Sequence, residues 1–340
     1  MATETNKQLL LASRPEGMPK PDNFRMTEAA IPVPKEGEVL LRILFLSLDP
    51  YLRGRMSAAK SYAQSVEIGQ VMEGGTVAEV VESQHKDYAK GDVVLSYSGW
   101  QTHAVSDGRD LRKLDPAAAP VTTALGILGM PGFTAYAGLL TIGKPKPGET
   151  VVVAAASGPV GSGVGQIARI KGARAVGIAG GRAKCDFVVK ELGFDACFDH
   201  HASDLAERLK EACPKGIDVY FENVGGKVWD AVFPLLNEFA RIPVCGLIAQ
   251  YNSAPPYPGP DRLPVAMREV LTRSLTIRGF IQREFVDQRK DFYREMGQWI
   301  REGRVKYRED IIEGLERAPE GLIGLLQGKN FGKLVVKVAR

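Results

Sequence analysis

Residues 150–181 read TVVVAAASGPVGSGVGQIARIKGARAVGIAGG, and this stretch decides the fold. Four apolar residues, Val151 to Ala154, predict a short buried strand, and a glycine-rich turn follows them. The apolar residues of Val164 to Lys171 then recur at helical spacing, and Ala175 to Ala179 predict a second apolar strand. Strand, glycine turn, helix and strand form a βαβ unit, which is the first half of a nucleotide-binding fold.

The turn departs from the common G-x-G-x-x-G pattern, because it reads Ala155-x-x-Gly158-x-x-Gly161. Glycines in such a turn allow a tight bend, backbone approach to a pyrophosphate and close packing of helix on sheet. The phosphates then lie at the helix N-terminus, where backbone N–H groups have no partner inside the helix. The residues that we expect to contact a dinucleotide are Ser157, Gly158, Pro159, Val160 and Gly161. The alternative is a βαβ crossover without a ligand.

The end of the second strand predicts which dinucleotide binds. An NAD site usually carries Asp or Glu about twenty residues after the glycines, where it holds the ribose 2′-hydroxyl. Here the chain has Gly180 and Gly181, followed by Arg182 and Lys184. Two cations without a carboxylate favour a 2′-phosphate, so we predict NADPH rather than NADH. The alternative is that both cations belong to a solvated first turn of the next helix.

Length and composition exclude several classes of protein. A chain of 340 residues is long enough for two domains. Its 44 basic and 40 acidic residues form no basic block, so we expect no nucleic-acid partner. No apolar stretch reaches membrane-spanning length and no signal-peptide pattern stands at the N-terminus, so we expect a cytoplasmic protein with no membrane partner.

The pattern of strands and helices predicts an α/β protein with two domains. Residues 1–128 are β-rich, with a strand expected over 71–82, and they favour a small barrel or sandwich. From 151 to 280 strands and helices alternate, which predicts a doubly wound parallel sheet. Residues 305–340 are β-like again and are expected to complete the first domain. We therefore predict one domain from 1–128 with 305–340 and a second over 129–304; the proline-rich stretch 251–260 is long enough to be functional.

Seven motifs, spread over nearly the whole chain, together resemble one family. They are Arg14-Pro15-Glu16-Gly17, Leu46-Ser47-Leu48-Asp49-Pro50-Tyr51-Leu52-Arg53, Gly129-Met130-Pro131-Gly132-Phe133-Thr134-Ala135-Tyr136, Ala155-Ala156-Ser157-Gly158-Pro159-Val160-Gly161, Glu222-Asn223-Val224-Gly225-Gly226, Gln250-Tyr251-Asn252 and Gly328-Lys329-Asn330-Phe331-Gly332-Lys333. The combination is similar to the zinc-independent branch of the medium-chain dehydrogenase/reductase superfamily, among its alkenal/one double-bond reductases. The resemblance implies a GroES-like β-barrel domain, a Rossmann domain that binds NADPH, and a homodimer.

A catalytic zinc ion is not expected. Zinc alcohol dehydrogenases of similar layout carry a cysteine and a Gly-His-Glu motif in the first domain. The first domain here has no cysteine, and neither His85 nor His103 precedes a glutamate. Zinc needs nitrogen or sulfur ligands in sufficient number, so we predict no metal.

Without a metal, an activated C=C bond is a better substrate than an alcohol. Hydride addition to the carbon β to a carbonyl produces an enolate, which needs hydrogen-bond donors and then a proton. The resemblance implies that Tyr251 reaches the substrate pocket beside the cofactor, and Tyr51 is the second candidate donor. The alternatives are a loop tyrosine packed against prolines for Tyr251 and a core aromatic for Tyr51.

Further cofactor contacts are expected at strand ends and turns. Strand ends at this edge of a parallel sheet face the ligand, and the resemblance places Asn223 and Asn330 beside the cofactor. The other strand-end candidates are Cys245, Gly246 and Phe280. His200 stands where many relatives have tyrosine; it could stack on adenine, meet the 2′-phosphate when protonated, or be a solvated loop residue.

Three functions remain open at this stage. The favoured one is NADPH-dependent reduction of the C=C bond of α,β-unsaturated ketones or aldehydes, which are small-molecule substrates. A quinone reductase of the same superfamily would share nearly every motif. An NADPH-binding protein without catalysis is the alternative from a different class.

Overall fold

The structure, a computed structural model, describes residues 5–253 and 260–339. The chain divides into two compact units, one of Met1–Gly126 with Glu309–Arg340 and the other of Ile127–Arg308. Most of the proline-rich stretch 251–260 lies outside the described residues. Within those residues no helix is both long and apolar enough to cross a membrane.

The N-terminal part of the chain is built mainly of short strands. Their bounds are β1 (Asn6–Leu11), β2 (Phe24–Ala29), β3 (Val39–Ser47), the short helix α1 (Leu52–Arg55), β4 (Thr76–Ser83), β5 (Val93–Ser96), β6 (His103–Ser106) and β7 (Arg112–Leu114). The expected strand over 71–82 begins only at Thr76. Val71 forms an isolated bridge, and Gly74 packs so closely that a Cβ on it would lie 2.8 Å from Leu46. A glycine in that position favours close approach of neighbouring chains over a continuous strand.

The central unit alternates helices and strands, as the sequence predicts. Its elements are α2 (Met130–Ala137), which continues as a π-helix over Gly138–Gly143, β8 (Thr150–Ala154), α3 (Pro159–Ile170), β9 (Arg174–Ala179), α4 (Arg182–Lys190), β10 (Ala196–Asp199), α5 (Leu205–Ala212), β11 (Ile217–Phe221), α6 (Gly226–Val232), β12 (Leu236–Val244), α7 (Leu263–Thr272), β13 (Thr276–Gly279) and α8 (Arg289–Arg301).

The six strands of this unit form one parallel sheet in the order β10-β9-β8-β11-β12-β13. The predicted doubly wound Rossmann sheet is therefore confirmed. The chain order reverses on either side of β8, which lies between β9 and β11. Ligands of such sheets bind outside the carboxyl ends of the strands at this reversal.

The last part of the chain returns to the N-terminal unit. It contains β14 (Glu309–Glu313), α9 (Ala318–Leu326) and β15 (Lys333–Lys337). These strands extend the N-terminal sheet to the order β14-β15-β3-β4-β5-β7, with β6 also paired to β3. Val335 of β15 pairs antiparallel with Ser47 of β3, so the C-terminal strand lies against the strand that leads to Tyr51.

Strand β8 is buried on both faces, which fixes the position of its carboxyl end. Val151 and Val153 pack in one hydrophobic cluster together with Val164 of α3. Val152 and Ala154, which alternate with them, belong to the cluster on the opposite side of the sheet. Each fully buried valine contributes roughly 1.5–3 kcal/mol, so the glycine turn starts from a firmly held strand.

Candidate active site

The glycine turn after β8 is a close approach of two backbone segments. Gly158 caps α3 and Pro159 is its first residue, where a missing N–H costs nothing. A Cβ on Gly161 would lie 2.3 Å from the carbonyl oxygen of Ala155, so only glycine fits there. The turn therefore places the N-terminal amides of α3, which have no acceptor within a helix, at the carboxyl end of β8.

The end of β9 is held by a carboxylate that sequence analysis missed. The Gly181 N–H donates to the Asp199 carboxylate at 2.9 Å, and the His201 N–H donates to the same oxygen at 3.0 Å. Burial raises the pKa of Asp199, but these two amides, together with the charges of His201 and His200, keep the pKa below its usual value. The carboxylate nearest to the end of β9 thus comes from the neighbouring strand β10, and its charge is engaged by backbone amides.

The predicted 2′-phosphate ligands differ in exposure. The Arg182 side chain is 94% exposed and lies 3.9 Å from Asp186, whereas Lys184 is half-buried. The His200 ring lies against Gly180, since a Cβ there would be 3.1 Å from Nε2. Burial lowers the pKa of His200, so a neutral ring that stacks fits this structure better than a cation.

The turn after β11 and the loop after β12 are joined to each other. The Asn223 side-chain amide donates to the Ala154 carbonyl at 2.8 Å, which sets it at the carboxyl end of β8. The Ile248 N–H donates to the Asn223 carbonyl at 3.3 Å, and the Ala249 N–H donates to the Val224 carbonyl at 3.0 Å. The position of one loop thus determines the position of the other.

Tyr251 follows the short 3-10 turn of Ile248–Gln250 in this second loop. Its hydroxyl accepts a hydrogen bond from the Leu247 N–H at 3.4 Å. A Cβ on Gly246 would come within 2.9 Å of the same hydroxyl. The structure therefore brings Tyr251, Gly246 and Asn223 together on loops that follow adjacent strands of the parallel sheet.

Two other strand-end candidates lie in or near the core of this unit. The Cys245 N–H donates to the Glu222 carbonyl at 2.9 Å, and burial, reinforced by the Glu222 charge, raises the pKa of the Cys245 thiol to about 12. A protonated thiol is a poor nucleophile, which agrees with a packing role. Phe280 follows β13 and is buried against Phe221 and Phe285.

The remaining two candidates belong to the other compact unit. Tyr51 precedes α1 and is half-buried, with the Arg55 guanidinium 5.3 Å from its ring centroid. Burial raises its pKa, and the nearby Asp49 carboxylate raises it further, so the phenol keeps its proton and can act as a hydrogen-bond donor. The Asn330 side-chain amide donates to the Gly332 carbonyl at 2.8 Å within its own turn.

A buried ion pair involves Asp49, two residues before Tyr51 in the sequence. The Lys333 ammonium donates to the Asp49 carboxylate at 2.7 Å and to the Leu48 carbonyl at 2.8 Å. Both charged side chains are almost fully buried, at 3% and 6% exposure. Lys333 thus holds the segment before Tyr51 to strand β15; sequence analysis quoted both motifs but did not pair them.

Within residues 5–253 and 260–339 no group of three or more His, Cys, Asp or Glu side chains is placed to hold a metal ion. The geometry of the central unit is that of a dinucleotide site: a glycine turn, a helix N-terminus, and polar side chains at the carboxyl edge of a parallel sheet.

Comparisons with known protein families identify the class of protein to which the chain belongs. Residues 7–114 match the family described as "N-terminal domain of oxidoreductase", and residues 159–302 match the family described as "Zinc-binding dehydrogenase". The chain is thus an oxidoreductase with a dehydrogenase-type nucleotide domain.

Individual relatives then show to which family within this class the chain belongs. The chain is 58% identical over 337 residues to the NADPH-dependent curcumin reductase of Escherichia coli, covering 99% of this chain and 98% of that protein. It is 42% identical over 326 residues to prostaglandin reductase 1 of Sus scrofa, covering 94% and 95%. The crystal structure of CurA in complex with NADPH from Vibrio vulnificus has a TM-score of 0.95 at 53% identity, covering 98% and 99%. The chain belongs to the zinc-independent branch of the medium-chain dehydrogenase/reductase superfamily, which confirms the resemblance drawn from its motifs.

Proposed function

We propose that this chain is an NADP-dependent oxidoreductase that reduces the C=C bond of α,β-unsaturated ketones and aldehydes without a metal. The observation that carries the proposal is the Tyr251 hydroxyl, held over the Gly246 backbone at the carboxyl edge of the parallel sheet. Its relatives support the reaction class, since they include proteins named curcumin reductase and prostaglandin reductase.

The cofactor is NADPH, and the residues present fit it. Gly161 lets the turn after β8 pack tightly against α3, and the N-terminal amides of this helix suit a pyrophosphate. Lys184 supplies a half-buried cation near the end of β9, and the His200 ring offers a stacking surface beside Gly180. In this proposal residues 129–304 hold NADPH, while residues 1–128 and 305–340 form the catalytic domain.

For this reaction the protein has to position the substrate and the cofactor and to donate a hydrogen bond to the substrate. When bound, NADPH supplies a hydride to the carbon β to the carbonyl. Negative charge then develops on the carbonyl oxygen of the substrate, and a phenol aimed at this oxygen stabilises it. We assign this donor role to Tyr251, with Tyr51 as the second candidate, since burial and Asp49 keep the Tyr51 phenol protonated. A proton delivered to the α carbon completes the saturated product.

We also propose that the chain forms a homodimer through its central unit, residues Ile127–Arg308. Strand β13 ends the parallel sheet, and all four of its residues are exposed. Helix α7 buries none of its residues and exposes Leu263 at 65% and Leu271 at 80%. An open sheet edge beside exposed apolar side chains fits a second copy of the same edge across a two-fold axis. Light scattering of the wild type and of Leu271→Asp, which should dissociate the dimer, tests this.

The function itself is tested by the loss of NADPH absorbance with a simple enone, run beside NADH and beside a quinone. Rapid loss with the enone and a clear preference for NADPH supports the proposal. Loss with the quinone alone would assign the chain to the quinone reductases. Measurable NADPH binding without turnover of either substrate would make it a binding protein.

A further inference from the structure

Glu222 is a fully buried carboxylate at the carboxyl edge of the parallel sheet, directly after β11. Its Oε1 accepts hydrogen bonds from the Val224 N–H at 2.6 Å and from the Gly225 N–H at 2.9 Å. Gly225 has a φ of 77°, so this turn adopts a conformation that needs both glycine and an acceptor for its amides. The side chain of Glu222 therefore fixes the shape of the turn 223–226.

The backbone of Glu222 holds the neighbouring loop as well. Its carbonyl accepts the Cys245 N–H at 2.9 Å and the Gly246 N–H at 3.2 Å. The turn that its carboxylate shapes presents two further carbonyls, those of Asn223 and Val224, to the amides of residues 248 and 249. One residue thus connects the end of β11 with the loop that carries Tyr251.

We infer that Glu222 is a positioning residue for Tyr251: its carboxylate shapes the turn 223–226, and this turn holds the loop 246–251 that places the phenol. The inference deepens the proposed function and rests on it for its catalytic consequence. The second carboxylate oxygen, Oε2, makes no hydrogen bond of ordinary length with the described residues, although the Tyr220 hydroxyl lies near enough to favour the charged form. The connection to the loop therefore depends on Oε1 alone, and glutamine can reproduce it.

The matched control lies at the other end of the same strand. The Asp218 carboxylate accepts the Thr150 N–H at 2.8 Å and the Asn237 side-chain amide at 2.8 Å. It is also a carboxylate with two N–H donors, but it serves the amino edge of the sheet. Asp218→Ala removes a comparable set of bonds without touching either loop of the site.

The first test is hydrogen exchange of the Ile248 and Ala249 amides in the full-length protein. Glu222→Ala should accelerate their exchange by about 10-fold or more, since local opening of the loop becomes easier. Glu222→Gln and Asp218→Ala should leave them close to the wild-type rate. If Glu222→Ala does not fold, Glu222→Asp, which is one methylene too short to reach both amides, should show the same change. Unchanged exchange in both shortened variants would overturn the inference.

The second test is a double-mutant cycle on turnover with an enone. Glu222→Ala should lower kcat by about 10-fold, because a misplaced catalytic group loses much of its effect. In the Tyr251→Phe background the same change should lower kcat by no more than about 2-fold. Equal losses in both backgrounds would show that Glu222 does not act through Tyr251. A wild type that reduces no enone would refute the proposed function, and the exchange data would then decide about Glu222 alone.

Discussion

The Tyr251 hydroxyl lies against the backbone of Gly246, so close that a Cβ on Gly246 would come within 2.9 Å of the phenolic oxygen. A side chain at position 246 would therefore displace the phenol from this position. Both residues stand at the carboxyl edge of the parallel sheet, where a nicotinamide and its substrate meet in folds of this class. The role of the phenol can therefore be tested by a substitution at Tyr251 and by a substitution at Gly246.

Removing the Tyr251 hydroxyl should slow the chemical step without weakening cofactor binding. In Tyr251→Phe we expect kcat with an enone to fall by about 10-fold or more, as for the loss of a positioned proton or hydrogen-bond donor. Gly246→Ala should lower kcat in the same direction because it displaces the phenol. Steady-state kinetics measure both.

The control for this pair is Tyr136→Phe, which removes a hydroxyl bonded to Glu295 at 3.1 Å. It should cost about 1 kcal/mol of unfolding free energy and leave kcat unchanged. A Tyr251→Phe variant with wild-type turnover on several enones would remove Tyr251 from the mechanism.

The preference for NADPH should depend on Lys184. Lys184→Ala is expected to raise the KM for NADPH by about 10-fold or more, because a charged hydrogen bond to the 2′-phosphate is lost. The KM for NADH should hardly change. Lys190→Ala, in the last turn of the same helix and paired with Asp186 at 3.6 Å, is the control and should affect neither cofactor. Equal effects of Lys184→Ala on both cofactors would contradict the assignment.

The buried pair of Lys333 and Asp49 should matter for stability. Lys333→Met leaves the Asp49 carboxylate buried without its cation, which typically costs about 3–5 kcal/mol of unfolding free energy. Lys337→Met removes an exposed lysine of the same strand, 3.5 Å from Glu313, and should cost less than about 1 kcal/mol. Chemical denaturation measures the unfolding free energy of both variants. Equal losses would show that the buried pair stabilises the protein no more than the exposed one.

The stability of the protein should depend on pH through Glu222. Burial raises the pKa of its carboxyl, although the Val224 and Gly225 amides oppose this. A raised pKa in the folded state means that its contribution to stability is present at low pH and is lost as pH rises through the folded value. Relative to Glu222→Gln, the wild type should therefore become less stable as pH rises above about 4.5. Thermal unfolding at a series of pH values measures this, and parallel pH profiles would contradict it.

Local sequence patterns predicted the sheet and the turn but missed three contacts that hold segments next to candidate residues, each within its own unit. The glycine turn and the ends of β8, β9, β11 and β12 follow from apolar periodicity and glycine spacing, which are properties of neighbouring residues. The Lys333 and Asp49 pair joins residues 284 positions apart, and no local pattern reports such a contact. Asp199 escaped notice because its partner, Gly181, lies at the end of another strand.

Glu222 did carry a signal in the sequence. It follows the apolar strand Ile217–Phe221 and precedes an Asn-Val-Gly-Gly turn, where a carboxylate is out of place unless it has donors to bind. Its two amide partners lie two and three residues further along the chain. A reading that asked where the amides of this turn find acceptors would have identified it.

The most direct test of the proposed reaction follows one atom. NADPH labelled with deuterium at the transferable C4 position is mixed with the protein and a simple enone, and the product is analysed by NMR. The proposal predicts a saturated ketone that carries the deuterium on the carbon β to an intact carbonyl. Deuterium on the carbonyl carbon of an allylic alcohol, or an enone recovered without label, would contradict it.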